Sequence, residues 1–547
     1  MPAAARCAIG LDFGTESARA VLVDTATGRV VSTATAPYTH GVLDRALPAG
    51  GARLGPDWAL QHPGDWLVAA ETLLRAMTAA GDPAAIAAIG VDFTSCTVLP
   101  AAADGTPLCL LADFAREPHA WPKLWKHHAA QPYADRINAH AAEPGGEFLA
   151  YYGGKTSSEW MWAKGWQMLA EAPPGVSRAA ARWIEGGDWL VWQLTGAEVR
   201  SVAQAGYKAH WQNDGGYPAR EFWQRLDPAL PGLLERLATA PSPLGTRAGG
   251  LVPAWASRTG LRAGTPVAVA AIDAHAAVPA LGVHDPGQLV MIMGTSTCHM
   301  LVDTRRLPVR GISGVVADGI LPGLFGYEAG QASVGDIFLW FVRTAVPARC
   351  GEAEVFERLG EDAARLEPGA SGLLALDWWN GCRTPLVDGE LSGAFVGLTL
   401  TTEPPEIYRA LLEATAYGTR RVIETFEAGG VPITGLHACG GLAERNPLLL
   451  QITADVTGRP VGAARVPDAS AVGAAIYAAA AAEGAHDMTG VVRRMGSAER
   501  VMYRPNTAAR RVYEDLYADY VELARYFGEG GSGVMRRLHA MHRRGTA

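Results

Sequence analysis

Cysteine is scarce and scattered in this chain of 547 residues. The seven cysteines are Cys7, Cys96, Cys109, Cys298, Cys350, Cys382 and Cys439. Their number is odd and none has the C-x-x-C spacing of a zinc or redox site, which argues against a disulfide framework and against a cysteine-based metal site. Most lie in apolar, strand-like contexts, where free cysteine behaves as a small buried hydrophobe. A reducing cytoplasm is therefore predicted.

Long hydrophobic runs and basic stripes are also missing. The longest apolar runs, such as residues 471–482, fall well below the roughly 20 residues that a membrane span requires. The apolar stretch near the N-terminus is too short for a signal peptide. The formal net charge is −8, and no basic stripe runs through the body of the chain. The sequence thus predicts no membrane insertion and no nucleic-acid partner.

The composition is that of an ordinary globular protein. Apolar residues make up 49% of the chain and charged residues 19%, so sizeable cores can form. The length predicts roughly two to four domains. Near the C-terminus, positive charge clusters after residues 528–533 (GEGGSG), in the pairs 536–537 and 543–544. Residues 528–547 are therefore predicted to be a flexible basic tail.

Two segments far apart in the chain, residues 10–17 (GLDFGTES) and 291–297 (MIMGTST), share one pattern. In each, an apolar strand runs into a Gly-Thr-x-Ser/Thr turn and then into a second strand. The turn residues are Gly14, Thr15 and Ser17 in the first segment and Gly294, Thr295 and Ser296 in the second. Glycine allows close approach of the backbone to a ligand, and the turn N–H groups and hydroxyls suit phosphate. Two such turns predict two lobes that hold one polyphosphate.

The elements around these turns predict an α/β fold. Three strands between residues 8 and 37 precede a helix at 63–79 and a buried strand at 86–93, and the plan recurs from residue 285. This order predicts mixed sheets flanked by helices, with ligand-bearing turns at strand ends. We expect an N-terminal lobe (1–284) with the first turn and a C-terminal lobe (285–527) with the second. No G-x-G-x-x-G opens a helix after the first strand, which argues against a dinucleotide oxidoreductase.

Asp12 ends the first strand beside the first turn. A carboxylate there can hold the water shell of Mg²⁺, which takes only one or two carboxylates, although an Asp that merely serves the turn gives the same pattern. Arg19 could direct its guanidinium toward a transferring phosphoryl group, or it could be a charge at a strand edge.

Asp273 is the strongest candidate for a general base. An apolar strand at 267–271 leads through Asp273 into an apolar helix at 274–281, so the carboxylate is expected where the two lobes meet. It could accept a hydroxyl proton late in a loose phosphoryl-transfer transition state. Asp also favours the N-cap of a helix, and both roles can hold together. His275 is interpreted as a local hydrogen-bonding residue.

Four tryptophan-rich segments separate the first turn from Asp273. They are residues 121–128 (WPKLWKHH), 157–164 (SSEWMWAK), 183–189 (WIEGGDW) and 206–211 (GYKAHW). Aromatic rings with charged neighbours suit a carbohydrate, although any one segment could simply be core.

Two further elements follow in the second lobe. Gly440 and Gly441 end a strand at 435–439, and Asn446 caps a helix that ends at Gly458; a glycine pair there lets the backbone pass beneath a flat ring. The last helix, at 506–527, carries five apolar residues at helical spacing, which predicts a packing face. They are Val512, Leu516, Tyr520, Leu523 and Phe527.

Together these motifs resemble the FGGY carbohydrate kinases of the actin-like ATPase superfamily. Residues 10–17 match the first phosphate loop of that family, residues 294–297 the second, and residues 440–446 the adenosine motif. Residues 393–398 (GAFVGL) and 408–413 (YRALLE) resemble its C-terminal signature. The resemblance covers residues 6–527. It implies two ribonuclease H-like, or actin-like ATPase, lobes with a ligand cleft between them, the sugar bound by the N-terminal lobe and ATP by the C-terminal lobe. It also implies Mg²⁺ and a homodimer.

Within that family the motifs are most similar to the L-ribulokinases. The matching segments are residues 124–128 (LWKHH), 153–164 (GGKTSSEWMWAK), 294–298 (GTSTC), 328–331 (EAGQ) and 376–381 (LDWWNG). The resemblance implies that Asp273 is the base and also contacts the substrate, that Lys208 and Glu328 bind ketose hydroxyls, and that Cys96 lies beside the sugar. His127, Cys96 and His275 depart from the subfamily pattern; His127 stands where Asp is usual.

The activity implied by the resemblance is ATP-dependent phosphorylation of L-ribulose at its 5-hydroxyl. The products are L-ribulose 5-phosphate and ADP, in L-arabinose catabolism. A kinase of D-ribulose or xylulose stays open, because 2-ketopentoses differ only in the handedness of their hydroxyls. The alternative from another class is an actin-like ATPase or chaperone that closes on a protein partner. It needs no base on the sugar side and leaves the tryptophan-rich segments unexplained.

Overall fold

The computed structural model describes residues 6–48, 51–237, 240–346, 351–484 and 488–545. Its strands form two seven-stranded mixed sheets and two small two-stranded sheets, which confirms the predicted α/β class. Cys350 and the last two residues of the predicted tail lie outside the described residues. Among the helices described, none is both long and apolar enough to cross a membrane.

The first sheet uses the N-terminal part of the chain. Its strands are Cys7–Phe13, Ser17–Asp24, Val30–Pro37, Ile86–Phe93, Arg247–Gly250, Pro266–Ala268 and Ala271–Ile272. The first three strands are antiparallel neighbours, and Ile86–Phe93 then pairs in parallel with Cys7–Phe13. This register places Asp12 opposite Asp92. Ala271–Ile272 also pairs in parallel with Ile86–Phe93, so Asp273 follows at the same edge of the sheet.

The second sheet repeats this plan. Its strands are Gln288–Met293, Thr297–Asp303, Gly314–Ala317, Phe325–Gln331, Gly435–Cys439, Val461–Ala463 and Val501–Tyr503. Its first four strands, one more than in the first sheet, are antiparallel neighbours, and Gly435–Cys439 then pairs in parallel with Gln288–Met293. Gly294 and Gly440 therefore follow adjacent strands at one edge. The small sheets pair Val98–Ala101 with Arg182–Glu185 and Leu374–Leu376 with Ala394–Val396.

Helices flank both sheets. Those in the N-terminal part are Pro63–Ala80, Gln131–His140, Met161–Glu171, Pro174–Ala179, Gly186–Thr195, Val202–Ala209, Arg220–Leu226, Pro231–Leu237, Pro253–Thr259 and Asp273–Ala280. Those in the C-terminal part are Gly335–Ala345, Glu352–Ala364, Pro404–Ala428, Gly441–Arg445, Pro447–Thr457, Ala469–Glu483, Met488–Met495, Thr507–Gly528 and Val534–Gly545.

The helix Ala469–Glu483 connects the two parts of the chain. It packs on the strands Cys7–Phe13 and Ile86–Phe93 of the first sheet and on the helix Asp273–Ala280. The contact is between backbones: a Cβ added at Gly90 would overlap the Ala474 carbonyl, and one at Gly473 would overlap the Ala276 carbonyl. A helix from the second part of the chain thus lies on the first sheet. The division of the chain into lobes at residues 284 and 285 stays a prediction.

The predicted packing face of the last long helix is confirmed except at Val512: Tyr520 is buried, and Leu516, Leu523 and Phe527 are partly buried against the core. The helix begins and ends close to the predicted residues, at Thr507–Gly528, but Val512 is exposed. The buried face carries Tyr513, Tyr517, Tyr520 and Ala524. The tyrosine hydroxyls donate to carboxylates on neighbouring elements; Tyr513 Oη lies 2.9 Å from Glu413 Oε1, for example. Amphipathic tyrosines can therefore be buried where their polar tips find partners.

The structure also differs from the prediction of a flexible tail. Residues Val534–Gly545 form a helix in which Met535 is buried. Arg536 Nε donates to Asp388 Oδ2 at 2.9 Å. An apolar contact and an ion pair therefore hold this segment against the second part of the chain.

We predict that Gly90→Ala destabilises the protein, because its methyl group would have to displace the Ala474 carbonyl. The expected cost is about 1–3 kcal/mol or more, measured as a shift of the urea or thermal midpoint by circular dichroism. Gly215→Ala is the matched control, because an added Cβ there meets nothing within 4 Å. Equal midpoints for the two variants would contradict the close backbone contact.

Candidate active site

A cavity of about 310 Å³ lies between the two parts of the chain. It brings together eight residues that the sequence singled out. They are Thr15, Cys96, Lys208 and Asp273 from the N-terminal part, and Gly294, Thr295, Ser296 and Glu328 from the C-terminal part. The predicted ligand cleft is thus present, and both Gly-Thr turns face it.

Each turn is closed by a backbone hydrogen bond that its glycine donates, but the two bonds differ in spacing by one residue. The Gly14 N–H donates to the Ser17 carbonyl at 3.0 Å, and the Gly294 N–H donates to the Ser296 carbonyl at 2.9 Å. Ser17 begins the returning strand and is absent from the cavity wall, which Thr15 reaches. The predicted repeat of strand, turn and strand is therefore present in both places, with a tighter closing bond in the second turn.

Each turn is also held by residues that the sequence pattern did not identify. Trp125 Nε1 donates to Thr15 Oγ1 at 3.0 Å, and Gln61 Nε2 donates to the Thr15 carbonyl at 2.7 Å. The Val334 N–H donates to the Thr295 carbonyl at 2.8 Å. These bonds fix the turns before any ligand binds.

Three carboxylates, Asp12, Asp92 and Asp273, meet at the edge of the first sheet. Asp12 and Asp92 are buried and paired in the strand register. Burial, together with the Asp12 carboxylate, raises the pKa of Asp92 well above its usual range. Both Asp92 oxygens lack a hydrogen-bond partner among the described residues. Asp92 was missed because its neighbours are set by strand pairing, which its local sequence does not reveal.

Arg19 contacts Asp12. Its Nη1 donates to Asp12 Oδ2 at 3.2 Å, its Nε lies 3.8 Å from Asp468 Oδ1, and nearly half of its side chain is exposed. The guanidinium thus offsets part of the charge at Asp12, and Arg19 is absent from the cavity wall. This placement agrees with a strand-edge charge more than with a direct contact to a transferring group.

Asp273 is the first residue of its helix rather than the cap. Ile272 is the N-cap, and Asp273 Oδ1 accepts from the Ala274 N–H at 2.7 Å. Burial and the Asp12 carboxylate raise the pKa of Asp273 to about 7. A carboxylate with this pKa, on the wall of a cavity, suits proton transfer near neutral pH.

Lys208 and Glu328 form an ion pair across the cavity. Lys208 Nζ donates to both carboxylate oxygens of Glu328 at 2.9 Å. Burial opposes both charges, yet Lys208 holds the pKa of Glu328 well below its usual range. His275 Nε2 lies 3.4 Å from Glu328 Oε2, and its ring stacks on Tyr207 at 4.3 Å between centroids. The pair presents fixed donors and acceptors of the kind that bind hydroxyl groups.

Cys96 lies in the cavity wall in a left-handed backbone conformation, with φ of 60°. Lys164 Nζ donates to the carbonyls of Cys96 and Leu124, at 2.7 Å each. Lys164 is completely buried and thereby ties the Cys96 segment to the segment that carries Trp125. Its presence in a tryptophan-rich segment was the only sequence signal for this role.

The tryptophan-rich segments divide between cavity and core. Trp125 and Trp160 line the cavity, whereas Trp162, Trp183 and Trp189 are almost fully buried. His127 is buried as well, and its Nε2 lies 2.9 Å from Gln167 Oε1. Of the three residues that depart from the subfamily pattern, His127 is therefore absent from the cavity wall, whereas Cys96 and His275 line it.

The predicted adenosine motif lies beside the second turn and outside this cavity wall. Gly440 has φ of 94°, and a Cβ there would lie 2.6 Å from the Met293 carbonyl oxygen. Gly441 begins a short helix. Asn446 Oδ1 accepts from the Leu449 N–H at 3.0 Å as the N-cap of the following helix. The two glycines thus leave backbone groups, rather than side chains, to face a ligand beside the second turn.

Comparisons with known proteins agree with this arrangement. The model of the FGGY family of carbohydrate kinases, C-terminal domain, matches residues 289–482. A ribulokinase of Geobacillus thermodenitrificans is 50% identical over 97% of this chain and 96% of its own length. One from Mycolicibacterium smegmatis is 48% identical over 99% and 97%.

The fold resembles that of solved sugar kinases. The xylulose kinase of Rhodospirillum rubrum superposes with a TM-score of 0.77 at 24% identity, over 95% of this chain and 98% of that one. At this identity the likeness concerns the fold alone. The expectation of an actin-like ATPase fold is confirmed.

A double-mutant cycle on Glu328→Gln and Lys208→Met tests the ion pair. Removing one partner leaves the other charge buried, so we expect each single variant to lose about 3 kcal/mol of unfolding free energy, with a coupling of about 2 kcal/mol. The exposed pair Arg220 and Glu235, 3.1 Å apart, is the control, with a coupling below about 1 kcal/mol. Equal couplings would show that solvent in the cavity screens the pair.

Proposed function

Because the chain belongs to the ribulokinases of the FGGY carbohydrate kinase family, we propose that it transfers the γ-phosphoryl group of ATP to the 5-hydroxyl of L-ribulose. The products are ADP and L-ribulose 5-phosphate, a step of L-arabinose catabolism. One observation carries the proposal: a single cavity holds a poised carboxylate, both hydroxyl-rich turns and a buried Lys–Glu pair.

Asp273 acts as the general base. Its carboxylate accepts the proton of the attacking hydroxyl as the new O–P bond forms, and the ADP oxygen leaves on the opposite side of the phosphorus. A loose transition state delays proton transfer, so a carboxylate is basic enough. The bond from the Ala274 N–H to Oδ1 leaves Oδ2 for the substrate.

Lys208 and Glu328 bind the ketose. The ammonium donates to hydroxyl or carbonyl oxygens and the carboxylate accepts from hydroxyls, while each holds the other in place. Trp125 and Trp160 offer ring faces to the C–H side of the sugar. Cys96 lies in the same wall, beside the sugar.

The two turns bind the polyphosphate, and the edge at Gly440, Gly441 and Asn446 binds adenosine. Backbone N–H groups of the Gly14–Thr15 and Gly294–Ser296 turns, with the Thr15 and Thr295 hydroxyls, supply donors from both lobes. Closure of the lobes on both substrates then excludes water, so that ATP is not lost to hydrolysis.

The residues at the first turn fit Mg²⁺. Asp12 and Asp92 are buried side by side, Arg19 is the one cation bonded to them among the described residues, and both Asp92 oxygens are unpartnered there. A hard dication would relieve this repulsion, and Asp12 would hold it, in part through water. When bound, Mg²⁺ neutralises charge on the phosphates.

The six described cysteines are all free, which supports a reducing, cytoplasmic setting. The homodimer expected from the family resemblance stays a prediction, which analytical ultracentrifugation tests.

We predict ketose-dependent ADP release from Mg-ATP, fastest with L-ribulose among L-ribulose, D-ribulose, both xyluloses and glycerol. Asp273→Asn should lower kcat by about 10²-fold or more, because the base is lost. Asp285→Asn, at an exposed carboxylate, should leave the rate unchanged. Faster turnover of D-ribulose or a xylulose would assign another ketopentose. ADP release that ignores every sugar and responds to a protein partner would favour the actin-like ATPase alternative.

The pH dependence should report Asp273. With a pKa of about 7 in the folded protein, the carboxylate is protonated below that pH, so kcat/KM for the sugar should fall about tenfold per pH unit on the acid side and level off above it. Steady-state kinetics from pH 5 to 9 measure this. An acid limb near pH 4 would mean that Asp273 ionises as an ordinary exposed carboxyl group.

A further inference from the structure

Arg383 extends into the cavity from a loop of the second part of the chain. Paired backbone hydrogen bonds between Cys382 and Asp388, each 2.9 Å, close this loop. Facing Arg383 is Glu159 from the first part of the chain, which also lines the cavity. The family resemblance assigned no role to Arg383.

The guanidinium of Arg383 has unused hydrogen-bonding capacity. Its nearest carboxylate oxygen, Glu159 Oε1, is 3.8 Å away, and about a quarter of the side chain is exposed. Within the described residues it makes no hydrogen bond, although guanidinium has five N–H donors. Burial opposes its charge, but Glu159 raises the pKa of Arg383, so it stays a cation. The pair of Lys208 and Glu328, by contrast, is already joined by two short bonds.

The surrounding structure keeps Arg383 in position. A Cβ added at Gly330 would lie 3.2 Å from its Cδ and 3.3 Å from its Nη1, so the side chain runs through space that glycine leaves open. The Gly330 N–H donates to Thr384 Oγ1 at 3.2 Å. At the base of the loop, Asp388 accepts from Arg536 of the C-terminal helix. A donor held this way is prepared for a ligand at little entropic cost.

We propose that Arg383 is a further substrate-binding residue, whose guanidinium donates to hydroxyl groups of the ketose; this rests on the proposed function. A neutral polyol suits the position better than a phosphate, because Glu159 and Glu328 both lie close enough to act on its charge and would repel a dianion. The planar fork of two N–H donors matches two neighbouring hydroxyls. Sugar binding then needs both lobes.

Arg383→Gln tests this, with Arg365→Gln at an exposed surface position as control. We first establish which ketose the wild type phosphorylates. Calorimetry should then show about 10- to 100-fold weaker binding of that ketose to Arg383→Gln without ATP. The KM for the ketose should rise similarly, with the KM for ATP and kcat within about twofold of wild type. Arg383→Lys keeps the charge but loses the planar pair of N–H donors. It should therefore also weaken ketose binding and raise the KM for the ketose, by a smaller factor, with the KM for ATP and kcat again close to wild type.

Three results would overturn the inference. Unchanged ketose binding in both Arg383 variants would show that the residue does not touch the sugar. A raised KM for ATP or a lowered kcat, with ketose binding intact, would place the guanidinium on the phosphoryl group instead. A wild type that phosphorylates no ketose would overturn the proposed function as well, which the first step reveals before any variant is measured.

Discussion

The site depends on a backbone contact between two alanine-rich helices, Ala469–Glu483 from the second part of the chain and Asp273–Ala280 from the first. The contact is possible because Gly473 has no side chain where it meets the Ala276 carbonyl. Gly10 and Gly90 allow the same helix to lie directly on the first sheet. Asp273 begins one of these helices, so its position relative to both turns follows from this packing.

The same packing forces like charges together. Asp12, Asp92 and Asp273 lie at one edge of neighbouring strands. Burial raises the pKa of all three, and the Asp12 carboxylate raises those of Asp92 and Asp273 further. Such an arrangement is unfavourable in isolation. The proposed roles account for it, because a base that works near neutral pH needs a raised pKa and the proposed Mg²⁺ would offset the repulsion. Across the cavity, Lys208 and Glu328 neutralise each other, so that side of the cavity carries charge without this repulsion.

Local patterns predicted much of this from the sequence. The strand–turn–strand repeat, the cap at Asn446 and the helix that begins near Asp273 each depend on a few adjacent residues, and the structure confirms these elements. The roles of Lys208 and Glu328 came from family resemblance, since nothing in spacing alone pairs residues so far apart. Asp92 and Arg383 were missed for the same reason: strand register and loop packing set their surroundings. Tyr513 and Tyr517 of the last long helix were missed because hydrophobic periodicity does not count hydroxyls that bond to carboxylates.

The central claim is that this cavity directs a phosphoryl group to the terminal hydroxyl of a ketopentose. Nuclear magnetic resonance of the product made from L-ribulose labelled with ¹³C at C5 tests it most directly. The account predicts a phosphorus coupling to the labelled carbon and one ADP for each phosphate ester. Inorganic phosphate without ester, or an ester whose phosphorus does not couple to C5, would contradict it.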